Sequence, residues 1–186
     1  MRASLRHPLL VALLALLPAL LAVAPAASAA SCPWADSAPA TIGPARAAKA
    51  TVCLINHERR MRGLHPLRLN WRLGYAARRY AEVMVRHRFF DHVSPGGSTL
   101  TLRIRRSGYL RHTRGWRLGE NIAWGSLEFG TPAAIVRAWM QSPGHRHNIL
   151  YPGFRDFGLG VAVGAPIDVD GDDAGTYVNA FGTRGW

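Results

Sequence analysis

The sequence predicts an α+β domain with helices first and strands last, and a change of period carries that prediction. Before residue 140, apolar residues recur at three- and four-residue steps, as on the buried stripe of a helix. After residue 156 the step becomes two: Phe157, Leu159, Val161 and Val163 alternate with Gly158, Gly160, Ala162 and Gly164. That is the pattern of a strand with one crowded face and one open to close approach. The 186-residue chain is long enough for a single domain with a substantial core. Helices in one run and strands in another place it in the layered α+β class.

Residues 1–29 read as a secretory signal peptide. Arg2 and Arg6 form a positive start, Leu9 to Val23 is apolar, and Ala27-Ser28-Ala29 is a small-x-small cleavage site. The apolar run, interrupted by Pro18, is shorter than the roughly 20 residues a membrane span needs. No other stretch could cross a membrane, so the mature chain is expected to be secreted, extracellular or in the cell envelope. A lipid anchor at Cys32 is the alternative, although no Leu precedes it where a lipobox would have one. Cys32 and Cys53 are the chain's two cysteines, and export favours a disulfide between them.

Residues 30–44, rich in proline and alanine, form a lead-in, and the domain occupies 45–186. Ala45 to Arg62 is a helix with Ala48, Val52 and Ile55 inward and Gly63 as its stop. Asn70 caps a second helix whose Leu73, Ala77, Tyr80 and Met84 share one stripe. A third helix spans Thr99 to Ser107. Thr131-Pro132 opens a fourth, which carries Ile135 and Trp139 and ends at Pro143-Gly144. Two strands follow, the second carrying Tyr177, Asn179 and Phe181, joined by the acidic turn "DVDGDDAG".

The formal net charge is +12, of which Arg2 and Arg6 contribute two, and Lys49 is the one lysine. Such a charge favours an anionic envelope component as partner. The arginine bursts (Arg59, Arg60, Arg62; Arg103, Arg105, Arg106) read as solvated charge. No nucleic-acid motif accompanies them, so no specific nucleic-acid partner is expected.

Several candidate motifs are incomplete. "HERRM" begins like the zinc-protease H-E-x-x-H, but Met61 stands where the second histidine belongs. Asp168, Asp170, Asp172 and Asp173 lack EF-hand spacing and its terminal Glu, so they read as an acidic hairpin turn. His87 reads as a helix-end residue facing the last carbonyls. More informative are His92 at a loop entry, Glu120 at the entrance of an apolar strand, and His145 after the Gly144 break. A carboxylate as apolar-flanked as Glu120 needs a partner. Together the three can form an open zinc site or a hydrogen-bonded acid/base cluster around a water, and spacing alone does not choose.

The segments "FFDHVSPGG", "LGENIAWG", "AWMQSPGHRHNIL" and "FGLGVAVG", in that order, resemble the CAP superfamily of cysteine-rich secretory, antigen 5 and pathogenesis-related proteins, in its secreted bacterial branch. "CLINHERRMRGLHPLRLN" is similar to that family's first helix and turn, so the resemblance runs from about Cys53 to Phe181. It implies a three-layer α-β-α sandwich with a central antiparallel sheet and a surface cleft that in some members holds a divalent metal. Onto that cleft it places His92, Glu120, Asn121 and His145, with His92 and His145 as metal ligands, zinc or another divalent cation as the cofactor, and Glu120 as the catalytic residue if there is one. A second family glutamate would fall at Ser142 and is missing. His147 is left to anchor a loop or face solvent. The function this implies is a non-enzymatic binding or effector module for a small ligand, with a metal-assisted extracellular hydrolase of peptide, ester or wall polymer as the alternative.

Overall fold

The structure, a computed structural model, describes residues 32–168 and 173–185. The leader assigned to 1–29 and the tip of the acidic turn, with Asp170 and Asp172, lie outside the described residues. Helices α1 (Pro39–Ile42), α2 (Pro44–Arg60), α3 (Trp71–His87), α4 (Leu100–Arg106), α5 (Pro132–Gln141) and α6 (Pro143–Leu150) accompany strands β1 (Arg68–Leu69), β2 (Gly115–Ser126), β3 (Asp156–Val163) and β4 (Ala174–Gly185).

The four strands form one sheet in the order β1-β3-β4-β2. Both long pairings, β3 with β4 and β4 with β2, are antiparallel, while the two-residue β1 runs parallel to β3. The sheet is therefore mixed, and its antiparallel part carries nearly all the pairing. Helices cover both faces, giving the α-β-α sandwich. On one face Phe157, Leu159, Tyr177 and Phe181 pack with Ile55, Trp139 and Ile149 from α2, α5 and α6. On the other, Ile122, Val178 and Ala180 meet Leu73, Tyr80 and Met84 of α3 and Ile104 of α4.

The stripe on α3 is buried as its spacing predicts, and Asn70 caps the helix by accepting from the Arg72 and Leu73 amides at 3.0 and 3.4 Å. Gly158 and Gly160 also act as expected. A Cβ at Gly158 would overlap the α3 backbone at Leu73 and Gly74, and one at Gly160 the backbone at Ala77 and Arg78. The missing side chains let α3 lie directly on β3.

Three expectations need correction. The buried stripe of α2 is Ala47, Thr51, Ile55 and Arg59, one position away from Ala48 and Val52, which pack at the margin of the core. Arg59 is thus not solvated. It is 1% exposed and donates to the carbonyls of His65 (2.9 Å), Ile149 (2.6 Å) and Tyr151 (3.1 Å), so its charge closes the C-terminal end of α6. Desolvation on burial lowers its pKa. The third correction concerns Pro143-Gly144, which does not end the helical region. Ser142 takes extended backbone (φ −93°, ψ 121°), and Pro143 then starts α6 at its first position, where a missing N–H costs nothing. "PGHRHNIL" is a helix, not a loop.

Among the described residues Cys32 and Cys53 form a disulfide, with Cα atoms 5.7 Å apart, fastening the lead-in to α2. Part of that lead-in is itself helical, as α1. In the same set no helix is long and apolar enough to cross a membrane.

Candidate functional site

β2 is an edge strand, and the candidate residues gather around its open edge. Alternate side chains leave it toward opposite layers. Leu118, Glu120 and Ile122 point to the α3–α4 side, whereas Asn121 and Ala123 point to the α5–α6 side. Glu120 is mid-strand, paired across from Ala180, rather than at a strand entrance. The outward carbonyls of the strand are closed by side chains: Asn148 donates to Glu120 O at 3.2 Å, and the Trp139 indole to Ile122 O at 3.2 Å. An edge that would otherwise offer free carbonyls is sealed where the site stands.

On the α3–α4 side, the Glu120 side chain is 4% exposed and its charge is met by Arg103, 9% exposed. Arg103 Nη2 donates to Oε1 at 2.9 Å and to Oε2 at 2.7 Å. The other arm of the same guanidinium, Nη1, donates to the carbonyls of His92 (3.1 Å) and Ser98 (2.6 Å), tying down the loop that carries His92. The guanidinium lies 3.4 Å over the ring centroid of Tyr80, whose hydroxyl donates to Asp91 O at 2.6 Å. Burial raises the Tyr80 hydroxyl to about 12, the largest of several effects on it.

His92 Nδ1 lies 2.9 Å from Glu120 Oε1, and half of its side chain is exposed. The bond to Glu120 is the largest influence on the imidazole and raises its pKa, against a smaller lowering by burial. Engagement of Nδ1 orients the ring and leaves Nε2 outside that bond.

His145 enters from the opposite layer. It is the third residue of α6, and its carbonyl accepts from Asn121 Nδ2 at 3.0 Å. Asn148, one turn on, donates to Asn121 Oδ1 at 2.9 Å, so a short asparagine ladder locks α6 against β2. Burial lowers the His145 pKa, and His92 is close enough that its charge lowers it further. The structure thus brings His92, Glu120, Asn121 and His145 around one strand edge. His147 stands about 200° around α6 from His145. It is exposed and packs on Tyr151 with ring centroids 5.5 Å apart, outside the cluster.

The donor set fits a cation only loosely. Among the described residues no three His, Cys, Asp or Glu side chains are grouped to hold a metal. Two imidazoles are present, one oriented by a carboxylate behind it, as metal-binding histidines commonly are.

Comparison with known proteins places the chain. A model of the cysteine-rich secretory protein family, CAP, matches residues 52–178. The protein belongs to the CAP family. It is 39% identical over 112 residues to the uncharacterized protein YkwD of Bacillus subtilis (strain 168), a match spanning 60% of this chain and 41% of that protein's length. In structure this CAP chain is similar to an extracellular protein containing a SCP domain from Bacillus anthracis str. Ames, with TM-score 0.59 and 25% identity over 74% of this chain and 40% of that one. It shares its fold with an outer surface protein from Borrelia burgdorferi, with TM-score 0.60 and 22% identity over 74% of this chain and 92% of that one.

Arg103, Tyr80 and Asn148 are the site residues that sequence reasoning missed. The need for a partner to Glu120 was readable, because a carboxylate in so apolar a stretch must be compensated. Which arginine would supply it was not, since six arginines in two bursts look alike until α4 is docked.

Proposed function

We propose that this CAP protein is an extracellular binding module whose edge-strand cleft takes a small ligand through a divalent cation held by His92 and His145. The observation that carries the reading is the state of Glu120. Both of its oxygens are engaged, by Arg103 and by His92, so it serves to orient an imidazole rather than to abstract a proton. That same engagement weighs against the hydrolase alternative, in which Glu120 would have to activate a water. Position 142, where a second acid would fall, is Ser142.

His92 offers Nε2, and His145, which burial keeps toward its neutral form, offers a ring nitrogen from the other side of the strand. Imidazole pairs suit zinc and its neighbours among the transition metals. A cation bound there supplies Lewis acidity to an oxygen or nitrogen of the ligand. The protein's own part is to hold the two rings, to seal the strand edge behind them with Asn148 and Trp139, and to fix Glu120 in place through Arg103. Extracellular placement is supported by the leader-like residues 1–29 and by the similar Bacillus anthracis protein, which is described as extracellular.

Mature protein purified without chelator and equilibrated with zinc should carry about one equivalent on elemental analysis. His92→Ala with His145→Ala should abolish that uptake, and Glu120→Gln should weaken it by roughly tenfold to a hundredfold, the usual effect of losing an orienting carboxylate. Folded wild-type protein that stays metal-free under saturating zinc defeats the reading.

A further inference from the structure

Beside the His92–Glu120–Arg103 cluster lies a groove of about 410 Å³ between α3 and the chain from Ser94 to Ser107. It shares Tyr80 and Arg103 with the cluster, but neither imidazole lines it. Tyr75, Ala76 and Val83 of α3 give it apolar surface, while Arg79 of the same helix, Arg106 and the hydroxyls of Ser98 and Ser107 supply polar groups; no carboxylate lines it.

The charges around the groove do not cancel. Arg103 is neutralised by Glu120. Arg79 meets Glu82 at 3.0 Å, but the same carboxylate also serves Arg78 at 2.8 Å, so two guanidiniums share one negative charge. Arg106 makes no ion pair among the described residues. An anion entering here would meet guanidiniums from two different elements, with hydroxyls between them.

We propose that this groove is a second ligand site that binds a phosphate ester, its phosphate held between Arg79 and Arg106 and its carbon skeleton laid along Tyr75 and Val83. Guanidinium forks match phosphate oxygens in planar pairs, and forks from two elements suit a tetrahedral anion better than a flat carboxylate, which one fork satisfies. The Ser98 hydroxyl can donate to the phosphate, while that of Ser107, which donates to Ile104 O at 2.8 Å, can accept from a hydroxyl of the skeleton. A groove with apolar surface and a few convergent polar groups is the usual form of a small-molecule site. The positive charge of the whole chain raises the local concentration of such anions. The site goes beyond the cation reading of His92 and His145 and does not depend on it.

The test uses the metal-free mature protein and glycerol 3-phosphate as probe, followed by calorimetry and by amide shifts at Ser98 and Ser107. Saturable binding with shifts at those amides is expected, at least tenfold tighter than inorganic phosphate, and glycerol should not bind. Arg79 and Arg106 are exposed, so Arg79→Gln with Arg106→Gln should keep the fold and lose at least tenfold in affinity. Arg137→Gln with Arg146→Gln removes two exposed charges elsewhere and should leave binding unchanged. Equal binding of inorganic phosphate, unchanged binding in the first double variant, or an equal loss in the second would each overturn the proposal.

Discussion

Only 4% of the Glu120 side chain is exposed, and Arg103 meets both of its oxygens while His92 meets one. A buried pair of this kind is marked less by its net stabilisation than by the cost of breaking it. Removing one partner strands the other charge, at about 3–5 kcal/mol, whereas replacing both with apolar groups of similar volume is often close to neutral. Arg103→Leu should therefore lower unfolding free energy by roughly that amount in urea titration, and Arg103→Leu with Glu120→Leu should recover most of it. A double variant as unstable as the single would show that Arg103 matters through its packing on Tyr80 instead. His92 and His145 differ at the same scale. A hydrogen bond to Glu120 raises the pKa of the first, while burial lowers that of the second, so two identical side chains are shifted in opposite directions by what lies behind them.

Between the helical layers and the sheet, α3 and β3 make the most extensive contact, and it depends on two missing side chains. Gly160→Ala would place a methyl into the α3 backbone at Ala77–Arg78, where nothing but a rigid helix can yield. Such overpacking typically costs 1–3 kcal/mol, and the loss here should fall near the upper end, about 3 kcal/mol, read as a lowered midpoint with unchanged denaturant slope. This contact was legible in the sequence, because glycine at every second position of a strand marks a face that another backbone approaches closely. The α3 stripe was legible too: Leu73, Ala77, Tyr80 and Met84 stand out against charged neighbours. The stripe of α2 was displaced by one position because Ala45, Ala47, Ala48 and Ala50 surround the helix with small apolar residues and give no contrast. The burial of Arg59 was not legible because its charge outweighs its place on the Ala47–Thr51–Ile55 line, and its partners are backbone carbonyls that no residue type announces. Nor was α6, because Pro-Gly signals both a stop and a start, and the choice depends on whether Ser142 can turn the chain back against β2.

At the scale of the molecule, the sandwich closes around a sheet with one open edge, and the lead-in is fastened by Cys32–Cys53, which are 21 residues apart. A closed loop of that length stabilises chiefly by restricting the unfolded chain, by roughly 3 kcal/mol. Cys32→Ser with Cys53→Ser should lose about that much, and since neither cysteine contacts His92, Glu120 or His145 by hydrogen bond, zinc uptake should be unchanged in the same variant. Cys32 and Cys53 could be paired from the sequence alone because the chain holds two cysteines and so offers one pairing. The cleft could not be assembled that way, because His92, Glu120 and His145 become neighbours only after helices from both layers meet one strand. Glu120 and Asn121 are consecutive on β2 yet belong to opposite layers, the first holding the His92 loop and the second the backbone of α6 at His145. The two rings are therefore referred to one strand from opposite layers, through the Arg103-braced loop on one side and the first turn of α6 on the other. A shift of β2 would carry both anchor points with it, whereas a change in the His92 loop or in α6 would move one ring against the other.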